Sequence, residues 1–505
     1  MSKQPTPEQP SPLLRPLMEV SQSRPVEPTT SDTTNAAAWH WVLVIALLAV
    51  GLRLGLYTLG PGQDIRQAYY PDSPRYLQLA DNLVEYGSFG LVMEQPGTIY
   101  APLTALRAKR GELEPRDAHG LRPELMRTPG YPFFIAALKG LGASTHAVLV
   151  IQCLFSAVSV ILVYALGVQL LGKPGPAMLA ALLVAINPAD VIAPNSILSE
   201  TLFTTVMLMG IAIAVLAGQQ GLLAAMFAGL TLGVATLIRP IAILLGPAVA
   251  LWSFVTYPKF RTLVTAAMLA LCSLVPTGLW AMRNHTVGYA FDISYVDSLQ
   301  HFSKTAAFMQ LRERGEPWVY PGDWLATYHQ LLAELSNRIQ PDETVIEAMD
   351  RIAFEKIKAQ PGLYVAVLGD SALKFMTDHS LGALYALLGW QYHPTGVRDQ
   401  LLHGDFSSLR IENLRTIAAP LLWSGFNVVL AVLTLGGLVA LGWQRRWATL
   451  VLLAGLMVYF VLATQAHGLE RMRLPVLGIQ AITVTAVFIR RTPRSKVISP
   501  AAVVH

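Results

Sequence analysis

Apolar stretches long enough to cross a bilayer recur along the chain, broken by short charged turns and by two long polar segments. The stretches are 41–59, 146–171, 176–193, 200–217, 221–238, 240–256, 262–280, 416–441, 448–464 and 474–489. Each is near the roughly 20 residues that a helix needs to traverse about 30 Å of hydrocarbon. The pattern predicts an all-α integral membrane protein of about ten transmembrane helices. The polar segments 60–145 and 281–415 form two long outer loops carrying juxtamembrane helices. Residues 1–38 are rich in Pro, Ser, Thr and Gln without apolar periodicity, which reads as a disordered tail. That tail is too long and too polar to be the leader of a cleaved signal peptide, so 41–59 is expected to be a retained anchor, with Trp39 and Trp41 at the interface. The membrane unit then runs 39–490, and 491–505 forms a C-terminal tail.

Within the loops, Pro74–Tyr86 reads as a helix lying along the membrane surface. Asp72 or Ser73 can cap it, Pro74 suits its first turn, Gly87 ends it, and Tyr76, Leu79, Ala80, Leu83 and Val84 make one apolar stripe. A second surface helix is expected over 342–359, capped by Asp342 and stopped at Gly362. The stretch 363–390 carries Asp370, Lys374, Asp378 and His379, and parity of the spans favours an interfacial helix there over an eleventh crossing.

Composition agrees with the pattern: 53% of residues are hydrophobic and 14% charged, with a mean hydropathy of +0.45. The net charge of +5 would suggest nucleic acid in a soluble chain. Here Lys173, Lys259, Arg261, Arg445, Arg446, Arg490, Arg491, Arg494 and Lys496 sit in short turns and at the C-terminus, which is a topology signal. It places both termini in the cytoplasm, and no nucleic-acid partner is implied; the plasma (inner) membrane of a bacterial-type cell is the expected location. Of the 32 acidic residues, Glu8, Glu19, Glu27 and Asp32 lie in the tail, and the other 28 map to the opposite face or its helix ends. Polar chemistry therefore belongs to the periplasmic or extracellular face. Cys153 and Cys272 lie inside apolar runs, against a disulfide framework. The histidines lack zinc-site spacing, and neither a metal nor a cofactor is called for. Asn284-His285-Thr286 forms a glycosylation sequon, a triplet that also arises by chance.

Asp72 stands just past the first apolar stretch, where a helix N-terminus favours an ionised carboxylate able to accept a proton; simple capping is the alternative. Tyr76, one turn on, is its neighbour on the helix face. Glu200 opens a span, where a free carboxylate would be costly in the bilayer interior; it either serves the site or caps the helix. Arg239 lies between two uncharged spans at an outer turn, so positive-inside bias does not explain it. Arg471 and Arg473 precede the last span, spaced two apart, and either bind phosphate or anchor at the interface; Arg283 and Arg127 are further loop candidates. Guanidinium groups grip phosphate oxygens bidentately and stabilise charge growing there. Arg53, inside the first span, is expected to snorkel or to face the bundle.

The run Asp72-Ser73-Pro74-Arg75-Tyr76, with Leu79-Ala80-Asp81-Asn82-Leu83 and Gly87, then Arg127-Thr128-Pro129-Gly130-Tyr131-Pro132, resembles the first outer loop of GT-C superfamily glycosyltransferases. Protein O-mannosyltransferases and lipid A aminoarabinose transferases (glycosyltransferase family 39-like) are the named relatives. The likeness continues through Ser199-Glu200-Thr201-Leu202, Ile238-Arg239-Pro240, Trp280-Ala281-Met282-Arg283-Asn284 and Glu470-Arg471-Met472-Arg473-Leu474-Pro475. It implies a GT-C fold and inverting transfer of a sugar from a polyprenyl-phosphate donor to a lipid, glycan or protein hydroxyl at the outer face, with membrane lipids as surroundings. On that likeness Asp72 is the base, Glu200 orients the acceptor or holds an arginine, and the arginines take the donor phosphate. Many relatives carry a second acidic residue directly after the aspartate; Ser73 stands here, so a role for such a pair does not transfer.

A glycolipid transporter or flippase would place ionisable groups or helix breaks at mid-membrane, whereas here they gather at one rim. An oligosaccharide ligase or polymerase using a diphosphate-linked donor stays open, because extra arginines would serve it as well. A non-catalytic scaffold would need no individual acidic residue. The charged run Arg107–Asp117 within 88–126 fits no motif and is a candidate for acceptor specificity.

Overall fold

A computed structural model describes residues 30–92, 100–217, 221–315, 322–390, 414–465 and 470–489. The expected C-terminal tail and the tail up to residue 29 lie outside them. The first helix runs Thr30–Leu59, eleven residues upstream of its expected start, because Ala36-Ala37-Ala38 continues the helix with strong formers.

Five helices are long and apolar enough to cross a membrane alone: Ala38–Leu59, Thr145–Leu171, Phe260–Thr286, Ala418–Trp443 and Arg471–Phe488. Pro174–Ile186 and Pro188–Asn195 form a pair bent by 56°. Asn187 is extended there, as a residue before proline prefers, and its side chain accepts a hydrogen bond from the Ala189 amide to restart the helix. Glu200–Val215, Leu222–Ile238, Pro240–Thr256 and Trp447–Ala463 are apolar but shorter. At 1.5 Å per residue they fall somewhat under the roughly 30 Å of hydrocarbon, so helix length alone accounts for five or six of the ten expected spans.

These helices share one core. Val42, Val160, Ala181, Phe203, Leu232, Phe460 and Ile482 all belong to a single buried cluster. Arg53 faces into it: its Nε donates to Ser156 Oγ at 2.6 Å and its Nη1 to the carbonyls of Ala49 and Ala185.

The two polar segments build a separate cap with its own core. Leu103, Leu125 and Met126 of the first segment pack with Tyr295, Phe302, Met309, Trp324, Leu335, Met349 and Val367 of the second. The regular secondary structure of the described part of the cap is helical apart from a two-residue antiparallel ribbon pairing Gly90 with Pro123 and Leu91 with Arg122. The helix expected over 342–359 runs Val345–Ala359. Thr344 rather than Asp342 caps it, through a reciprocal pair with Glu347. Gly362 does not stop it: the chain breaks at Gln360, and Gly362 lies inside the next helix, Pro361–Thr377, which a short helix Leu381–Leu387 follows. The sequon asparagine, Asn284, is fully buried and donates to the carbonyls of Asp292 and Ile293, so it is a structural residue.

Candidate functional site

The surface helix forms over Ser73–Tyr86, and Gly87 ends it at φ 66°, a left-handed conformation that suits glycine. Asp72 occupies the cap position, yet its side chain makes no capping hydrogen bond. Ser73 takes the local work instead: its hydroxyl accepts from the Tyr70 amide and donates to the Ile197 carbonyl, tying the helix start to the membrane bundle. The Asp72 carboxylate is thereby left to face a cavity of about 350 Å³ where the cap meets the bundle.

Five charged side chains from five stretches of sequence alternate in sign along that cavity. Arg127 Nη2 lies 2.5 Å from Asp72 Oδ1; Arg471 Nη1 lies 3.5 Å from Asp72 Oδ2. The same Arg471 reaches Glu200 Oε1 through Nε at 3.8 Å, and Arg239 Nη1 contacts that oxygen at 2.8 Å. Burial by itself would raise the Asp72 carboxyl, but Arg127, then Arg471, Arg239 and Arg75, outweigh it and hold the group below its ordinary range. Asp72 is therefore ionised at neutral pH. Tyr76, buried one helical turn on, packs edge-on against Tyr131 and lies under the Arg127 guanidinium at 5.7 Å.

Backbone geometry sets these distances. Glu200 is the first residue of its helix, and Arg239 follows the last residue of Leu222–Ile238 in an extended conformation. The Arg127 turn reaches Arg239 through Thr128, whose hydroxyl donates to the Ile238 carbonyl, and through Gly130. A Cβ at Gly130 would stand 2.7–2.8 Å from Ile238 and Leu237 atoms, much of it backbone, so glycine permits the approach. Glu124, fully buried and paired with Arg75 at 2.6 Å, fixes the turn from the other side by accepting the amides of Met126 and Arg127.

Asp72, Tyr76, Arg127, Glu200, Arg239 and Arg471 thus meet around one cavity. Arg283 and Arg473 do not line it. Arg283 donates to the carbonyls of Glu124 and Phe89 and stacks over Trp280 at 4.8 Å, bracing the loop behind Arg127. Arg473, buried, donates to the carbonyls of Met376 and Asp378. The turn Glu470–Arg473 is a 3₁₀ helix, where residues two apart point to different sides, so Arg471 and Arg473 separate.

Sequence reasoning missed the cap's side of the cavity: Tyr100, Asp297, Lys304, Trp324 and Tyr328. Lys304 stands on a π-helical turn, His301–Ala306, with its ammonium nitrogen 3.3 Å from the centre of the Trp324 ring. Burial and, secondarily, Arg471 pull its pKa down to about 6 against a smaller opposing pull from Asp72. The available signal was a lone cation in the otherwise uncharged run Phe302–Met309.

The sequence profile of dolichyl-phosphate-mannose-protein mannosyltransferase matches residues 126–280. None of the curated proteins compared with the chain matches it. Among solved structures, the apo oligosaccharyltransferase of Archaeoglobus fulgidus is similar with a TM-score of 0.46 at 13% identity; the match covers 89% of this chain and 50% of that one, so this chain spans about half of that protein's length. Over residues 126–280 the chain is similar to dolichyl-phosphate-mannose-protein mannosyltransferases, and the resemblance to membrane glycosyltransferases of the GT-C type carried by its motifs holds.

Proposed function

We propose that the protein moves a sugar from a polyprenyl-phosphate donor to a hydroxyl acceptor, with inversion at the anomeric carbon, at the outer face of the membrane. The acceptor oxygen bonds to the anomeric carbon as the carbon–phosphate oxygen bond breaks. The bonding electrons leave with the lipid phosphate, and the hydroxyl proton passes to the Asp72 carboxylate. Arg239 and Arg471 hold the phosphate, Arg127 orients Asp72, and Glu200 sets the position of Arg239. The observation that carries this reading is the alternation Arg127, Asp72, Arg471, Glu200, Arg239 around one cavity. Carboxylates alone would suit proton transfer, and arginines alone would suit anion binding. Glycosyl transfer from a lipid phosphate needs both within a few ångströms.

The charge balance favours a monophosphate over a diphosphate-linked donor. Among the described residues, three carboxylates (Asp72, Glu200, Asp297) and three guanidiniums (Arg127, Arg239, Arg471) line the cavity and cancel formally. Lys304, when protonated, adds one positive charge, matching a phosphodiester; a diphosphate diester would bring two negative charges. The test is reconstitution into vesicles with a labelled polyprenyl-phosphate sugar and candidate acceptors. A new glycosidic bond supports the transferase. Lipid translocation without a new bond would overturn it in favour of a transporter.

A further inference from the structure

The reaction cavity has walls of different chemistry. Each of its three arginines has a carboxylate against it: Asp72 meets Arg127 and Arg471, and Glu200 meets Arg239 and Arg471. The wall built by the second polar segment carries no guanidinium among the described residues. There the helix Val296–Gln300 runs into the π-helical turn His301–Ala306. Tyr295, Leu299 and Phe302 pack into the cap core, and Asp297 and Gln300, three residues apart on one helical face, line the cavity.

Asp297 differs from the other two carboxylates of the cavity. It is exposed, with Gln300 half-buried beside it. The charges that act on it are His301, Asp292 and Asp350 rather than the arginines. His301 is itself turned to Asp350, at 3.5 Å, and to the side-chain amide of Gln465, at 2.9 Å. Among the described residues, no hydrogen bond or ion pair engages the Asp297 carboxyl or the Gln300 side-chain amide.

We propose that Asp297 and Gln300 bind hydroxyl groups of the sugar being transferred, and so help to select it. This rests on the lipid-phosphate donor reading above. The oxygens of a phosphodiester only accept hydrogen bonds and gain nothing from a carboxylate, whereas each sugar hydroxyl can donate as well as accept. A carboxylate takes one such donor on each oxygen, and an amide next to it offers one acceptor and two donors, so the pair matches neighbouring hydroxyls on a ring. Phosphate and sugar are directly bonded in the donor. A phosphate held by Arg239 therefore brings the ring into the cavity that Asp297 and Gln300 line.

The experiment is isothermal titration of the detergent-solubilised full chain with two phosphodiesters of equal charge, citronellyl phosphomannose and citronellyl methyl phosphate, the second lacking the sugar. The parent protein should bind the mannose diester more tightly than the methyl diester. Asp297→Ala should weaken binding of the mannose diester by about tenfold, the low end for a hydrogen bond to a charged group because Asp297 is exposed, and Gln300→Ala by about threefold, as for a neutral bond. Affinity for the methyl diester should be kept in both variants, which also shows that they are folded. Asp297→Asn, retaining one acceptor oxygen, should fall between the parent and Asp297→Ala. Equal affinity of the parent for the two diesters, an Asp297→Ala loss that is the same for both, or an unchanged mannose diester affinity in Asp297→Ala and Gln300→Ala overturns the inference and leaves the phosphate reading intact. Binding of neither diester by the parent overturns the donor reading and the inference with it.

Discussion

Replacing Asp72 with Asn removes a charge from between Arg127 and Arg471 while keeping the side chain's shape, and two separable losses should follow. The first is structural. A pair of unit charges about 4 Å apart at an effective dielectric of about 20 attracts by about 4 kcal/mol, and stranding one member of a buried pair costs about 3–5 kcal/mol. Arg471 keeps a second carboxylate, Glu200, at 3.8 Å, whereas Arg127, among the described residues, keeps the Tyr100 hydroxyl at 3.3 Å, the faces of Tyr76 and Tyr100 and the more distant charge of Glu124. The stability loss should therefore centre on Arg127 and sit near the low end of that range. The second loss is chemical: removing a general base typically lowers kcat by about 10²–10⁴-fold. The double variant Asp72→Asn/Arg127→Gln separates the two. It should recover most of the thermal stability, since no guanidinium is left stranded, and recover none of the transfer rate. Melting curves and single-turnover transfer on the four proteins of that cycle are the assay. If the double variant regained transfer together with stability, Asp72 would be a clamp for Arg127 and the base assignment would fall.

Arg239→Ala should raise the donor KM well before it lowers kcat, by roughly the tenfold or more that a lost charge-assisted bond of about 1.5–3 kcal/mol implies; an unchanged donor KM and rate would remove Arg239 from the site. Gly130→Ala should push the Arg127 turn off the end of Leu222–Ile238 and lower kcat/KM, while an alanine at Gly140, which meets no atom within 4 Å, should not; equal kinetics for the two would show that the close approach does not position Arg127. The pH profiles should differ in a fixed direction. In the free enzyme Asp72 is held below its ordinary range, so kcat/KM should show no acid limb from Asp72 above about pH 4, whereas a bound phosphate opposes the arginines and should move that limb upward in kcat. Its stability contribution follows the same sign: present above about pH 4 and lost as pH falls through the depressed pKa.

The surface helix was legible because its apolar stripe, Pro74 and Gly87 obey local rules, and local rules also gave the apolar stretches. The cap of Val345–Ala359 was misplaced by two residues because Asp342 and Thr344 are both good cap residues; the Glu three positions after Thr344 was the deciding sign. Arg471 and Arg473 look equivalent in sequence, and only the tight 3₁₀ turn parts them. Arg283 carries the same charge as Arg239, yet its bonds to the Phe89 and Glu124 carbonyls depend on how a loop 159 to 194 residues away folds back, which no local pattern encodes. Lys304 is harder still, since its partners across the cavity, Asp72 and Arg471, lie more than 160 residues away in each direction.

The tightness of the contacts assigns different work to the three arginines. Arg127 makes the shortest contact, 2.5 Å to Asp72, and adds ring contacts on Tyr76 and Tyr100, so a ligand would have to break its best bond to engage it. Arg239 spends one Nη on Glu200 and Ser199, the latter at 3.4 Å, and the other on the Met472 sulfur, a weak acceptor. Arg471 touches its two carboxylates at 3.5 and 3.8 Å, both long for a charged pair. A phosphate oxygen that replaced the sulfur at Arg239 would gain a charge-assisted bond and give up little there, without displacing Glu200. An anion bound there would then tighten the Arg239 end of the network and leave the Arg127–Asp72 contact undisturbed.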